Sequence, residues 1–216
     1  MSLTLYGVAR SRASRNLWLL HEAGIPFTHV PVIQAGRLTD PKAQINTQSP
    51  EFLAVNPTGK IPALVDGDLV LNESLAMNLY IAKKAGGALG PKDLAEDARM
   101  TAYAIWAMTE VEPHTINILY HRVMKPVAER DESVAQAAIE ALAAPFAVLD
   151  AALAKDGWLV GGRFTVADIN TAEVVRYAAP VPALFDAAPR VKAWLAACHA
   201  RPGFKAMMAQ RDAEPA

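Results

Sequence analysis

The chain has 216 residues, 52% hydrophobic and 20% charged, which is ample apolar material for a packed interior and excludes global disorder. Its length suits one large domain or two small ones. Lys and Arg total 21 against 22 Asp and Glu, a formal charge of −1, so no bulk charge advertises a nucleic acid or other polyanion as partner.

Leu3 to Gly7 reads as a strand, Ser14 to Ala23 as a helix stopped by Gly24 and Pro26, and Phe27 to Val32 as a second strand, a β-α-β opening. A polar loop from Gln34 to Ser49 follows. Pro62 to Leu71 then holds two apolar runs joined at Asp66-Gly67, a strong hairpin signal. From Glu73 to Ala85, Leu75, Ala76, Leu79 and Tyr80 recur at helical spacing and form a stripe able to cover a sheet.

The breaker-rich run Gly86-Gly87-Ala88-Leu89-Gly90-Pro91 marks a domain boundary. Beyond it, Asp93 to Met124, Val134 to Ala154, Val166 to Ala179 and Pro189 to Ala200 are Ala-rich and helix-periodic, predicting an all-helical second unit. Thr165-Val166-Ala167-Asp168 has the spacing of a capping box, a structural signature. Ala141 to Leu149, interrupted by Pro145 and ended by Asp150, falls short of the roughly 20 apolar residues a bilayer demands, so it reads as a buried helix and no membrane partner is expected.

Other features narrow the chemistry. The residues before Arg10 and Arg12 contain no basic head or apolar block of signal-peptide length. The single cysteine, Cys198, allows neither an internal disulfide nor a multi-cysteine zinc site and suits a reducing compartment, so a cytoplasmic location is expected. His21, His29, His114, His121 and His199 show no pair at metal-ligand spacing, and no metal is expected.

Three stretches join chemistry-bearing residues to accessible backbone. Val8-Ala9-Arg10-Ser11-Arg12-Ala13-Ser14-Arg15 leaves a strand and enters a helix, where free amides and the positive dipole end favour a thiolate or carboxylate; Ser11 or Ser14 fits equally as a plain helix cap. In Asn56-Pro57-Thr58-Gly59-Lys60-Ile61-Pro62, two prolines bracket a turn before a strand. Pro62 is a candidate cis peptide that would leave neighbouring backbone groups open to a ligand, while Lys60 is either a surface lysine or the partner of a ligand carboxylate. Asn72-Glu73-Ser74-Leu75-Ala76 sets Glu73 and Ser74 in a helix's first turn, suited to the two charges of an α-amino acid head group or to capping alone.

In chain order, Leu5-Tyr6 with Ser11 and Arg15, then Asn56-Pro57-x-Gly59-Lys60-Ile61-Pro62-Ala63-Leu64, Glu73-Ser74-x-Ala76, Gly161-x-x-Phe164-Thr165-x-Ala167-Asp168-Ile169, and Trp194-Leu195 with Arg201-Pro202 span nearly the whole sequence. The combination resembles the soluble glutathione transferase family, in a bacterial, serine-type form with a theta-, zeta- or delta-like active-site loop. The resemblance implies an α/β thioredoxin-like domain at 1–85 that binds glutathione, a linker at 86–93 and an all-α helical-bundle domain at 94–216. It further implies a cytoplasmic homodimer with glutathione as co-substrate and a small hydrophobic electrophile as second substrate.

By the same resemblance, Ser11 gives its hydroxyl proton as a hydrogen bond to the glutathione sulfur. Ile61 pairs its backbone with the cysteinyl part beside cis-Pro62, Lys60 meets the glycyl carboxylate, and Glu73 and Ser74 hold the γ-glutamyl end. Lowering a thiol from a pKa of about 8.5 by a hundredfold in its ionisation constant takes roughly 2.7 kcal/mol, and one hydrogen bond to a charged group supplies about 1.5–3 kcal/mol. Ser14 is the rival serine, with the spacing to Arg15 favouring Ser11. Thr47 stands where some classes place a glycyl-binding histidine, Tyr6 is expected to pack, and Cys198 to be buried. The loop Val8–Arg15 lacks the cysteine that dithiol exchange requires.

An acceptor pocket is implied at the first loop and the helix carrying Tyr103, Trp106, Met108, Glu110, Pro113 and His114, while Thr109 and Glu110 could instead reach a neighbouring subunit's glutathione. Two alternatives remain at this point. One is a glutathione-dependent isomerase or dehalogenase, although Arg10-Ser11-Arg12-Ala13-Ser14 stands where zeta-type isomerases carry Ser-Ser-Cys; the other is a non-catalytic scaffold on the same fold.

Overall fold

A computed structural model describes residues 3–40 and 42–214. Packing divides the chain into two units, Met1–Ala85 with Arg201–Ala216, and Gly86–Ala200. The last segment therefore departs from the expected domain at 94–216.

In the first unit, β1 (Leu3–Tyr6), α1 (Ala13–Ala23) and β2 (Phe27–Val30) form the opening β-α-β, with β1 and β2 parallel. A short helix α2 (Pro50–Leu53) precedes β3 (Ala63–Asp66), β4 (Leu69–Leu71) and α3 (Ser74–Ala85). The four strands run in the order β2-β1-β3-β4, and β3 is antiparallel to both neighbours. This is the thioredoxin-like arrangement expected from the sequence. Gly67, at φ 62°, turns the hairpin, and Tyr80 on α3 donates to Asp66 Oδ2 at 2.6 Å. Lys84 pairs with the same carboxylate and, with the Tyr80 hydroxyl, holds it below the usual range.

The chain returns to this unit through α10 (Pro202–Ala213), which packs along α1. Trp18 meets Phe204 edge-on with ring centroids 4.9 Å apart, and Glu22 accepts from Arg201 Nε at 2.7 Å and Gly203 N at 3.0 Å. A Cβ on Gly203 would lie 2.7 Å from Glu22 Cα, so this close approach requires glycine.

The second unit holds α4 (Leu94–Trp106), α5 (Glu112–Leu119), α6 (Glu132–Ala152), α7 (Val166–Val175), α8 (Pro182–Ala187) and α9 (Pro189–His199). The continuous helix expected over 93–124 is interrupted by π-helical turns at Ala107–Val111 and Tyr120–Met124. Pro113 accounts for the first, because its missing N–H and its ring disrupt the α-helical ladder one turn upstream. Helix α6 accommodates Pro145 and is long and apolar enough to cross a membrane by length and composition, unlike the shorter stretch read from the sequence. Its stripe of Ala135, Ala138, Leu142, Phe146 and Leu149 is nevertheless buried, with α5 and α9 packed against the helix.

All ten residues of α7 are buried, and the expected capping box begins it. Asp168 accepts from Thr165 N at 2.8 Å, Leu159 N at 3.1 Å and Trp194 Nε1 at 2.9 Å, while burial pushes its carboxyl up. Cys198 is buried, as expected.

At the start of α4, Glu96 accepts from Arg163 Nη2 at 2.6 Å, Arg163 Nη1 at 2.9 Å and Lys92 N at 2.9 Å. Arg163 also donates to Gly90 O and Ala88 O, closing the Gly86–Pro91 turn. The guanidinium lowers the Glu96 pKa from 4.5 to about 2. A carboxyl depressed in the folded state stabilises it above the unfolded value, and that stabilisation is lost as pH falls through the folded value. Denaturant midpoints should therefore drop between pH 4.5 and about 2, and Glu96→Gln should flatten that segment of the profile. An identical slope in the variant would rule out this ion pair as its source.

Candidate active site

The three stretches singled out in the sequence all lie in the first unit. Gly7 ends β1 at φ 133°, and a Cβ there would stand 3.1 Å from Ala13 Cβ, 3.3 Å from Ile61 Cβ and 3.5 Å from Pro62 Cα. Glycine thus lets the β1–α1 loop approach the turn before β3. The Ile61–Pro62 peptide is cis, and among the described residues no hydrogen bond occupies the Ile61 backbone.

Ser11 is partly exposed in this loop. Its Oγ donates to Val8 O at 2.7 Å and accepts from Ala13 N at 3.1 Å, so the hydroxyl holds the turn that launches α1. Ser14 is fully buried within α1. The helix begins at Ala13, one residue earlier than expected, and every residue from Ala13 to Leu20 is buried, Ser14 among them.

Asn56 builds the second stretch. Its Nδ2 donates to Lys60 O at 2.7 Å, and its Oδ1 accepts from Thr58 Oγ1 at 3.0 Å. Gly59 turns the chain at φ 63°, leaving the Lys60 side chain exposed and Pro62 buried. Thr47, the position of a histidine in some classes, has its hydroxyl engaged by Ala35 N at 3.0 Å. Tyr6 packs its ring on Phe52 at 6.2 Å.

Glu73 lies just ahead of α3 rather than inside its first turn, and its carbonyl accepts from Met77 N at 2.9 Å. It is the single non-glycine described residue with positive φ, at 66°. A non-glycine residue held there is strained and marks a site where surrounding structure imposes the conformation. Its side chain is exposed beside buried Ser74.

Residues not nominated from the sequence hold these parts together. Arg15 Nη1, itself buried, donates to Ser74 Oγ at 3.1 Å. Asn16 Nδ2 donates to Ser74 O at 2.8 Å and Asn78 Oδ1 at 2.7 Å, and Asn78 Nδ2 donates to Arg15 O at 3.1 Å. The sequence signal for this is Asn78, a polar residue inside the otherwise apolar run Leu75 to Ala82, whereas Asn16 follows the polar Ser14 and Arg15 and does not stand out. Among the described residues, no group of three or more His, Cys, Asp and Glu side chains could hold a metal ion.

Family profiles match both parts of the chain: the glutathione S-transferase N-terminal domain over residues 10–84 and the C-terminal domain over residues 105–202. Glutathione S-transferase 3 of Zea mays is 36% identical over 216 residues, covering 96% of this chain and 93% of that protein. The structure of glutathione S-transferase-I bound with lactoylglutathione aligns with a TM-score of 0.84 at 30% identity, over 97% of this chain and all of the other. The theta class glutathione S-transferase from Xanthomonas axonopodis pv. citri with glutathione bound aligns with a TM-score of 0.80 at 30% identity, covering 95% and 96%. By its fold and by likeness along nearly its whole length, this chain belongs to the glutathione S-transferase family.

Proposed function

We propose that this transferase binds glutathione across Ser11, Lys60, Ile61, Pro62, Glu73 and Ser74, and that Ser11 stabilises the thiolate that attacks a hydrophobic electrophile. The observation carrying this reading is the Ser11 hydroxyl, partly exposed at the mouth of the β1–α1 turn and backed by the Ala13 amide. Its proton rests on the neutral Val8 carbonyl. Redirecting it to an anionic sulfur exchanges a neutral hydrogen bond for a charge-assisted one, about twice as strong. Ser14, by contrast, is fully buried.

The remaining contacts follow from the same geometry. The open Ile61 backbone pairs with the peptide of the cysteinyl residue, the exposed Lys60 ammonium meets the glycyl carboxylate, and the exposed Glu73 carboxylate meets the γ-glutamyl ammonium. Ser74, held by Arg15, presents its N–H at the start of α3, where the helix dipole favours the γ-glutamyl carboxylate.

A bacterial chain with a theta-like serine loop is part of this proposal, supported by the likeness to the Xanthomonas structure; the curated relative described above is a plant protein. A homodimer is also proposed, supported by the exposed Leu69 and Val70 on edge strand β4. A cytoplasmic location is also proposed, supported by a cysteine content of one, which permits no disulfide within the chain and suits a reducing compartment.

Ser11→Ala should lower kcat/KM for glutathione with a chloronitrobenzene by about ten- to hundredfold. The same change should move ionisation of the bound thiol, followed by ultraviolet titration of the thiolate, to higher pH. An unchanged Ser11→Ala rate together with a loss in Ser14→Ala would transfer the role to Ser14. Glu73→Gln should raise the calorimetric Kd for glutathione by about tenfold, with most of the catalytic loss in affinity rather than kcat. A full loss in kcat at unchanged Kd would contradict the assigned contact.

A further inference from the structure

The end of α10 reaches the loop that carries Ser11. Glu214 Oε1 accepts from Ala9 N at 2.6 Å, and its Oε2 accepts from Arg10 N at 3.0 Å, so one carboxylate spans two successive amides immediately before the serine. One turn earlier on α10, Gln210 Nε2 donates to His29 Nδ1 at 2.7 Å, and His29 Nε2 donates to Gly7 O at 2.6 Å. That pairing assigns the His29 proton to Nε2, because the Gly7 carbonyl can only accept. From the other side, Arg37 Nη1 donates to Arg10 O at 3.0 Å. The peptide groups from Gly7 to Arg10 are thus held by side chains far away in sequence.

We propose that Glu214 is a positioning residue for the thiol-activating step, fixing the Ala9–Arg10 peptides so that the Ser11 hydroxyl faces the sulfur of bound glutathione. Two charge-assisted hydrogen bonds from one carboxylate define both the place and the orientation of the peptides they span. Ser11 lies one residue beyond the second of these amides, and its own turn bond to Val8 O closes the same loop. The carboxylate also consumes the two N–H groups, which leaves the sulfur dependent on Ser11 and the donors that follow it.

This inference rests on the assignment of Ser11, and the test separates the two. In full-length protein, Glu214→Ala should accelerate hydrogen exchange at the Ala9 and Arg10 amides and lower kcat/KM for glutathione with a chloronitrobenzene by about tenfold. Ionisation of the bound thiol should move to higher pH, with the glutathione Kd held within about threefold. Glu214→Gln, which keeps one acceptor oxygen but sets an NH2 donor against the second peptide N–H, should recover only part of the rate. In a Ser11→Ala background, Glu214→Ala should cost little more, since both changes remove one function.

Unaltered ionisation and rate in Glu214→Ala, or losses that add fully to those of Ser11→Ala, would overturn the positioning role while leaving Ser11 intact. Equal shifts to lower pH in Glu214→Ala and Glu214→Gln would overturn it too, showing that the carboxylate acts on the sulfur only as a repelling charge. A Ser11→Ala enzyme with full activity would instead sink the reading on which the inference stands.

Discussion

The candidate site depends on a buried polar seam between α1 and α3, formed by Arg15, Asn16, Ser74 and Asn78. Apolar side chains alone would let two helices slide by part of a turn at modest cost, because burial energy carries little direction. Hydrogen bonds do not permit this. Each contributes about 1 kcal/mol net, yet separating a pair inside the protein strands a donor or acceptor at about 1–3 kcal/mol. The seam is therefore worth more as a register device than as a source of stability. It fixes the start of α3 against the first turn of α1, and so holds Glu73 and Ser74 in place relative to the loop containing Ser11.

Backbone geometry at the ends of these helices follows from the same constraint. Glu73 occupies left-handed space at a cost of order 1 kcal/mol or more, which glycine would largely avoid. The strain persists because Ser74 is tied on both its hydroxyl and its carbonyl and the Glu73 carbonyl starts the helix ladder. A glycine would relieve the backbone but would remove the exposed carboxylate. Gly7 presents the opposite case: any side chain there would collide with Ala13 and Ile61, and the loop could not meet the turn before β3.

Local chemistry made much of this legible in advance. Asp66-Gly67 specified the hairpin, Thr165 and Asp168 specified the start of α7, and the β-α-β and β-β-α order specified the sheet. What stayed hidden depended on helical phase or on distant partners. Ser11 and Ser14 could not be ranked by burial, because every residue from Ala13 to Leu20 is covered by packing on elements distant in sequence, α3 and α10. Pro113 and Pro145 both lie inside stretches expected to be helical, yet one accompanies a π-helical turn and the other lies inside an unbroken α6. The allegiance of α10 was out of reach as well: Arg201-Pro202 announces a helix start, while the residues that receive it, Trp18 and Glu22, lie near the other end of the sequence.

These constraints also bear on how a small hydroxyl could suffice for thiol activation. The Ser11 oxygen accepts from Ala13 N in the free protein, and nothing about that bond conflicts with its proton turning from Val8 O toward a ligand. Amide, hydroxyl and thiolate would then form a chain in which each donor polarises the next, strengthening the terminal bond beyond that of an isolated alcohol. The amide is anchored in α1, and α1 is anchored by the seam to α3. On this reading, thiol activation at one end of the loop and recognition of the γ-glutamyl end at the other draw on a single rigid body. Loosening the seam would then weaken both together, although none of its buried side chains needs to touch the sulfur.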